Sequence, residues 1–168
     1  MTYRLVVMGV AGSGKSTLAR ALAERLGLAM VDGDDLHQPE SVAKMRAGIA
    51  LQDADRWPWL DRVAAELARA AEPGMVVACS ALRRVYRDRI RAGASPVDFI
   101  FLEGSYEVIH TRLAGRQGHY MKTGLLQSQF DTLERPDASE TDVIRLDIND
   151  TVAILIDRAV DALTTGKA

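Results

Sequence analysis

The chain has 168 residues, of which 48% are hydrophobic and 26% charged, and this composition predicts a globular fold with a substantial core. The formal net charge of −2 lacks the basic excess typical of proteins that grip nucleic-acid phosphates, so we expect no nucleic-acid partner. No apolar run approaches the roughly 20 residues that span a bilayer, and the N-terminus lacks the pattern of a signal peptide. The one cysteine, Cys79, cannot form an intrachain disulfide, and we expect a cytoplasmic protein without a membrane partner.

Short apolar runs alternate with longer amphipathic stretches along the whole chain. The apolar runs predict strands at residues 5–8, 28–31, 75–79, 97–102 and 143–146. The amphipathic stretches predict helices over 16–26, from Pro39, from Pro58 to Gly74, over 83–92, after a Ser105 cap and after an Asp150 cap. Strands separated by helices are typical of a parallel sheet covered on both faces, so we expect one α/β domain over residues 1–168.

A glycine-rich loop follows the first predicted strand. Residues 9–16 read Gly-Val-Ala-Gly-Ser-Gly-Lys-Ser and match the phosphate-loop pattern G-x-x-x-x-G-K-[ST] completely. Backbone N–H groups of such a loop, with the N-terminal end of the next helix, surround a phosphate. Lys15 is predicted to reach the β- and γ-phosphates of ATP, and Ser16 to offer its hydroxyl to Mg²⁺. The predicted ATP-binding residues of this loop are Gly9, Ala11, Gly12, Ser13, Gly14, Lys15, Ser16 and Thr17.

Two other interpretations of this loop are weaker. A glycine-rich turn that binds nothing would not need a buried strand before it and a helix after it. A dinucleotide-binding fingerprint would need a small residue where Thr17 stands, and it would leave Lys15 unexplained.

An acidic turn, Asp32-Gly33-Asp34-Asp35-Leu36-His37, follows the second predicted strand. Ligands of open α/β sheets bind beyond the carboxyl ends of the strands. We predict that Asp34 is the general base that accepts the proton of an attacking hydroxyl, and that Asp32 holds Mg²⁺ through water. The alternatives are ordinary Asp-Gly turn chemistry for the carboxylates and a surface or capping role for His37, which is otherwise a candidate substrate contact.

Several blocks of the sequence together resemble the gluconokinase family of shikimate-kinase-like P-loop kinases. The phosphate loop is shared by very many families, whereas the combination of the other blocks is specific, and the resemblance runs nearly end to end. The matching blocks are residues 9–16, 32–37, 53–60 (Asp-Ala-Asp-Arg-Trp-Pro-Trp-Leu), 79–88 (Cys-Ser-Ala-Leu-Arg-Arg-Val-Tyr-Arg-Asp), 118–122 (Gly-His-Tyr-Met-Lys), 129–130, 132–134 and 140–142.

The resemblance implies a fold, a reaction and an assembly. It implies a five-stranded parallel sheet in the order 2-3-1-4-5, ATP with Mg²⁺, transfer of phosphate to D-gluconate, and a homodimer. An anionic sugar acid needs a clamp for its carboxylate, and the planar fork of arginine suits it. Arg56 is the first candidate, followed by Arg83 and Arg87, with His119 as a further candidate contact.

The third predicted strand ends in Cys79-Ser80, where a Walker B motif would place an acidic residue. The organisation of the metal therefore falls to Ser16 and the acidic turn. We predict that Cys79 is a small buried residue and that Ser80 contacts the acceptor. Trp57 and Trp59 are predicted to pack within their helix, and Arg89 and Arg91 to lie on a solvated helix face.

Residues 114–136 form a long polar segment with weak periodicity, which is typical of a functional lid. Glycines at 115, 118 and 124 suit hinge motion. We predict that Arg116 closes over the phosphates and stabilises charge in the transition state, and that Arg112 packs on adenine. The alternative is a solvated basic loop.

The main alternatives for the whole protein are a related kinase and a nucleotide-dependent switch. A shikimate-type or nucleotide kinase shares the fold, and only the blocks around Arg56, Arg83 and His119 separate it from a gluconokinase. A guanine-specific switch should carry an Asn-Lys-x-Asp motif, and this sequence has none.

Overall fold

Five parallel strands form one sheet in the order β2-β3-β1-β4-β5. The computed structural model describes residues 1–116 and 123–165. The strand order agrees with the order that the family resemblance implies, so this expectation is confirmed. The strands are β1 (Tyr3–Met8), β2 (Ala29–Asp32), β3 (Gly74–Ala78), β4 (Asp98–Glu103) and β5 (Val143–Asp147).

Helices connect the strands and cover both faces of the sheet. One short 3₁₀ turn, Gly33–Leu36, directly follows β2. Across the described residues, no helix combines the length and apolar character needed to cross a bilayer. The helices are α1 (Lys15–Leu26), α2 (Pro39–Arg46), α3 (Asp53–Ala68), α4 (Arg84–Ala94), α5 (Tyr106–Ala114), α6 (Thr123–Thr132) and α7 (Val152–Thr164).

The core lies in two layers because successive residues of a strand face opposite sides of the sheet. In β1, Leu5 and Val7 pack on the side that carries α1, α5, α6 and α7, whereas Val6 and Met8 pack on the side of α3 and α4. All four side chains are fully buried. This central strand therefore fixes the loop that follows it between the two layers.

All five predicted strands are confirmed to within one or two residues, and Ser105 caps α5 by accepting from the Val108 N–H. The predicted helix from Pro58 to Gly74 is wrong at both ends, because α3 runs from Asp53 to Ala68 and Gly74 begins β3. The carboxylate of Asp55 accepts from the N–H of Gln52 at 2.9 Å, and this bond starts the helix before the proline.

The last helix also begins differently from the prediction. Thr151, not Asp150, is its N-cap, and the Thr151 hydroxyl accepts from the Ile154 N–H. The Asp150 carboxylate is instead directed to the Arg158 guanidinium, at 2.6 Å. Both residues satisfy the rule that an oxygen-bearing side chain starts a helix, and the rule alone does not choose between neighbours.

Candidate active site

The phosphate loop connects β1 to α1 at the carboxyl edge of the sheet. Gly12 has a φ of 77°, and a Cβ there would lie 2.7 Å from the Leu113 side chain of α5, so only glycine fits. The Lys15 ammonium folds back over the loop and donates to the Val10 carbonyl at 3.0 Å. The structure thus brings the predicted residues together in the loop and the first turn of α1: Gly9, Ala11, Gly12, Ser13, Gly14, Lys15, Ser16 and Thr17.

The Lys15 ammonium lies close enough to the carboxylates of the acidic turn for their charges to interact. Burial lowers the pKa of the Lys15 ammonium from its ordinary value, and the nearby carboxylates of Asp34 and Asp32 oppose this shift. A phosphate bound in the loop would add negative charge beside the ammonium and favour its charged form in the same way. The site is therefore arranged to hold a cation between the loop and the turn.

Ser16 and Asp32 supply the oxygen atoms that a Mg²⁺ site needs. The Ser16 hydroxyl donates to Asp32 Oδ2 at 3.2 Å, and Asp32 Oδ1 accepts from the Asp34 N–H at 3.0 Å. Within residues 1–116 and 123–165, no three His, Cys, Asp or Glu side chains cluster as a complete metal cage. A hydroxyl beside one carboxylate fits Mg²⁺, which takes few protein ligands and is completed by water and substrate phosphates.

Asp34 lies in the 3₁₀ turn after β2. The residue is exposed as a whole, yet the protein around its carboxyl group raises the pKa of Asp34, first by burial and then through the neighbouring Asp32. Lys15 and His37 act in the opposite direction. A carboxylate with a raised pKa is a stronger proton acceptor, which is the property that a general base requires.

The acidic turn is held in place from two sides. Gly33 packs so closely on β3 that a Cβ there would lie 2.4 Å from the Ala78 carbonyl oxygen. Trp59 of α3 donates from Nε1 to the Gly33 carbonyl at 2.7 Å in a buried hydrogen bond. The prediction that Trp59 packs rather than binds sugar agrees with its burial, and this hydrogen bond adds a role that the sequence did not indicate.

The His37 ring stacks on Trp59, with 4.2 Å between ring centroids and 16° between planes. Burial lowers the pKa of His37, although Asp34 opposes the shift. The imidazole Nδ1 is buried and has no hydrogen-bond partner among the described residues. The ring is therefore oriented beside the candidate base.

Two of the predicted arginines form a cluster beside the acidic turn. Arg56 and Arg83 lie 5.4 Å and 5.7 Å from the centre of the Tyr86 ring. Asp53 accepts from all three side chains: from the Tyr86 hydroxyl at 2.5 Å, from Arg83 at 3.2 Å and from Arg56 at 3.4 Å. Both guanidinium groups remain partly exposed, at 25% and 38% of the side chain, so each keeps donors for a ligand.

Asp53 was not predicted as a site residue. Its only signal in the sequence is its place in the block that resembles gluconokinases, and its contacts join α3 to α4 across the site. Glu134, which follows α6, is a second such residue, because its carboxylate accepts from Arg83 Nε at 3.1 Å and from the Arg84 N–H at 3.0 Å.

The prediction that Arg87 contacts the acceptor is corrected by the structure. Its side chain is fully buried, and its donors are engaged by both oxygens of Glu140 and by three backbone carbonyls.

Arg91 does not lie on a solvated face as predicted, because it pairs with Glu140 and Asp142 at 2.7 Å. Arg89 is exposed and pairs with Asp61, as expected for a solvated face. Helix periodicity could not separate these arginines, because Arg87 and Arg91 pair with residues some 50 positions further along the chain and Arg89 pairs with Asp61 before the helix.

The two residues that follow β3, Cys79 and Ser80, border the site. Burial raises the pKa of Cys79 to about 12, so its thiol stays protonated and the prediction of a small buried residue is confirmed. Ser80 is half-buried, and its carbonyl accepts from the Gly9 N–H at 3.3 Å. Ser80 therefore lies against the phosphate loop, and its contact with an acceptor stays a prediction.

Only part of the predicted lid can be described. Arg112 donates to the Ile148 carbonyl at 2.5 Å, and the side chains of Arg112 and Arg116 are exposed. His119 lies outside the described residues.

The segment 114–136 contains the helix α6, which the weak periodicity did not reveal. From this helix Gln129, also absent from the predicted site, accepts from the Ala11 N–H at 2.6 Å.

Comparison with known proteins agrees with this architecture. A family model described as an AAA domain matches residues 5–136. The thermosensitive gluconokinase of Escherichia coli K12 is 43% identical over 161 residues, which cover 94% of this chain and 86% of that protein. The gluconokinase of Gluconobacter oxydans is 45% identical over 84% of this chain and 80% of its own length.

Solved structures give the same result. The crystal structure of a gluconokinase from Sinorhizobium meliloti 1021 superposes with a TM-score of 0.89 at 43% identity, covering 97% of this chain and 92% of that one. Shikimate kinase from Aquifex aeolicus has a TM-score of 0.59 at 15% identity, which shows a shared fold alone. With identity above 40% across most of both chains and the phosphate loop, acidic turn and arginine cluster along one edge of the sheet, this protein belongs to the gluconokinase family.

Proposed function

We propose that this protein phosphorylates D-gluconate with ATP to give 6-phospho-D-gluconate. The observation that carries the proposal is the alignment, along one edge of the sheet, of a phosphate loop, a carboxylate with a raised pKa and a pair of partly exposed arginines. Relatives named as gluconokinases, at 41–45% identity in bacteria and yeasts, support the choice of acceptor.

The loop and the helix α1 bind the phosphates of ATP. Lys15 places its ammonium charge against the β- and γ-phosphates, where it stabilises the negative charge of the transferring group. Ser16 would hold Mg²⁺ directly and Asp32 through a water molecule, as their mutual hydrogen bond suggests. Bound Mg²⁺ supplies neutralising charge to the phosphate oxygens.

Asp34 acts on the acceptor. Its carboxylate takes the proton of the attacking hydroxyl while that oxygen forms its bond to the γ-phosphorus and ADP leaves. His37, stacked on Trp59, offers a ring nitrogen to a neighbouring hydroxyl of the sugar acid. Ser80 is the third polar contact that we propose on this side of the site.

Arg56 and Arg83 bind the carboxylate of the acceptor. Asp53 neutralises part of their charge and holds them on the ring of Tyr86, so that the two cations are oriented before the ligand arrives. A forked guanidinium matches a carboxylate in two hydrogen bonds. This pairing favours an aldonate over a neutral sugar.

Residues beyond the sheet edge complete the proposed site. We propose that the lid lies in segment 114–136, with Arg116 over the phosphates and His119 at the acceptor, and that Arg112 of α5 packs on adenine. Both Arg112 and Arg116 are exposed residues, and one donor of Arg112 is engaged by the Ile148 carbonyl. We also propose a single kinase domain over residues 1–168, a homodimer and a cytoplasmic location. The homodimer rests on the family resemblance alone, and light scattering of the purified protein would test it.

A coupled assay of ADP release tests the acceptor. The purified protein is given ATP and Mg²⁺ with D-gluconate, another aldonate, shikimate or a nucleoside monophosphate. We expect gluconate to accelerate ADP release far above the rate without acceptor, and the others to do so weakly. A larger acceleration by shikimate would move the protein to the related kinase class. Slow turnover with every acceptor would favour a nucleotide switch.

A further inference from the structure

One peptide group of the phosphate loop is held at both of its ends. The carbonyl of Val10 accepts from the Lys15 ammonium at 3.0 Å, and the N–H of Ala11, which belongs to the same peptide group, donates to Gln129 Oε1 at 2.6 Å. In a trans peptide the C=O and N–H point in opposite directions. Lys15 and Gln129 therefore fix the orientation of a single peptide plane from opposite sides.

The packing of helix α6 on the core places Gln129 beside the phosphate loop. Its inward side carries Leu126, Gln129 and Phe130, at the spacing of one helix face, and Leu133 directly after the helix packs against the same core. Leu126 is buried in the core, and Phe130 packs edge-on against the Tyr106 ring at 5.6 Å. Gln129 is the polar residue of this face.

The atoms of the contact define its chemistry. Because Ala11 contributes a donor, the carboxamide must present its oxygen to the loop, and this N–H is then already satisfied. The Val10 carbonyl, at the other end of the plane, is the acceptor that holds the Lys15 ammonium. Rotation of this peptide would carry the carbonyl away from Lys15. Gln129 opposes that rotation.

We propose that Gln129 is a positioning residue, which orients Lys15 for the nucleotide phosphates through the Val10–Ala11 peptide. The consequence for phosphoryl transfer rests on the proposed kinase function, whereas the consequence for nucleotide binding does not. A misplacement of about 1 Å in a reacting group can cost about 10²-fold in rate, so a fixed peptide at this position affects activity.

A double-mutant cycle on nucleotide affinity tests this coupling. The affinity of a non-hydrolysable β,γ-imido analogue of ATP is measured by calorimetry, with Mg²⁺ and without acceptor, for the wild type, Gln129→Met, Lys15→Met and the double variant. We expect Gln129→Met to weaken binding about tenfold when Lys15 is present, which is ~1.4 kcal/mol. In the Lys15→Met background we expect almost no further loss, because the group that Gln129 positions is gone.

Equal losses in the two backgrounds would show that Gln129 contributes independently of Lys15, and they would overturn the proposal. Gln127→Met is the matched control, because Gln127 lies on the exposed side of the same helix and bonds only to Asp131 among the described residues. It should leave the affinity unchanged. Since no acceptor is present, these outcomes do not depend on whether gluconate is the substrate.

A second measurement includes the wild type, whose result does not depend on whether a variant folds. Amide hydrogen exchange, read by NMR, should show the Ala11 N–H protected in the free protein and in Gln127→Met. In Gln129→Met the same N–H should exchange much faster while core amides of β1 stay protected. An Ala11 amide that exchanges at the unprotected rate in the wild type would contradict the proposed contact.

Discussion

At the scale of single residues, we propose that the acidic turn determines how the acceptor loses its proton. Asp34→Asn keeps the size and the turn but cannot accept a proton, so we expect kcat to fall about 10²–10⁴-fold. Binding of ATP should survive, because Lys15 and the loop are unchanged. Steady-state kinetics with saturating ATP and acceptor measure this loss. A decrease of less than about tenfold would shift the role of base to Asp32.

The raised pKa of Asp34 gives a pH dependence with a definite sign. Below its pKa the carboxyl group is protonated and cannot take a proton, so activity falls as the pH decreases through this value. We expect the acid limb of the kcat/KM profile at a higher pH than an ordinary aspartate would give, and we expect that limb to be absent in Asp34→Asn. An unchanged acid limb in the variant would assign it to another group.

The arginine cluster can be tested by a change that preserves charge. Arg56→Lys keeps the cation but loses the fork that matches a carboxylate. We expect KM for gluconate to rise much more than KM for ATP. Arg89→Lys, an exposed residue outside the site, is the matched control and should change neither constant. An equal rise in both constants would make Arg56 a general phosphate contact rather than an acceptor clamp.

At the scale of elements, the arginines of α4 differ in how much their ion pairs contribute to stability, because Arg87 is buried and Arg89 is exposed. Arg87→Met leaves Glu140 buried with Arg91 as its remaining partner. Breaking a buried ion pair costs about 3–5 kcal/mol, and the retained Arg91 contact places our expectation near the lower end of that range. Arg89→Met removes an exposed pair on the same helix and should cost less than about 1 kcal/mol.

Urea unfolding of both variants measures this difference. Similar, small losses would contradict a structural role for Arg87 and would return it to the list of candidate substrate contacts.

Local patterns predict the elements better than they predict the boundaries. The strands follow from apolar runs because both faces of a parallel sheet are buried. Pro58 and Asp150 led to wrong helix starts, because proline can also lie inside the second turn of a helix and because Thr151 competes for the cap. The roles of Arg87, Asp53 and Gln129 depend on contacts between distant segments, and no local pattern contains them.

At the scale of the whole molecule, the strand order explains why the site is where it is. β1 lies in the centre of the sheet, so the phosphate loop that follows it is flanked by the ends of β3 and β4. The acidic turn after β2, Arg56 of α3 and Arg83 just before α4 then lie on one side of this loop, and α5 and α6 on the other. We therefore expect the acceptor to bind on the side of the acidic turn and the two arginines.

Analysis of the reaction products shows whether phosphate passes from ATP to gluconate. The wild-type protein is incubated with ATP, Mg²⁺ and D-gluconate, and the mixture is followed by ³¹P NMR and mass spectrometry. We predict one gluconate monophosphate, carrying phosphate on the terminal primary hydroxyl, formed in equal amount to ADP. Release of ADP with free phosphate and no gluconate monophosphate would contradict the account.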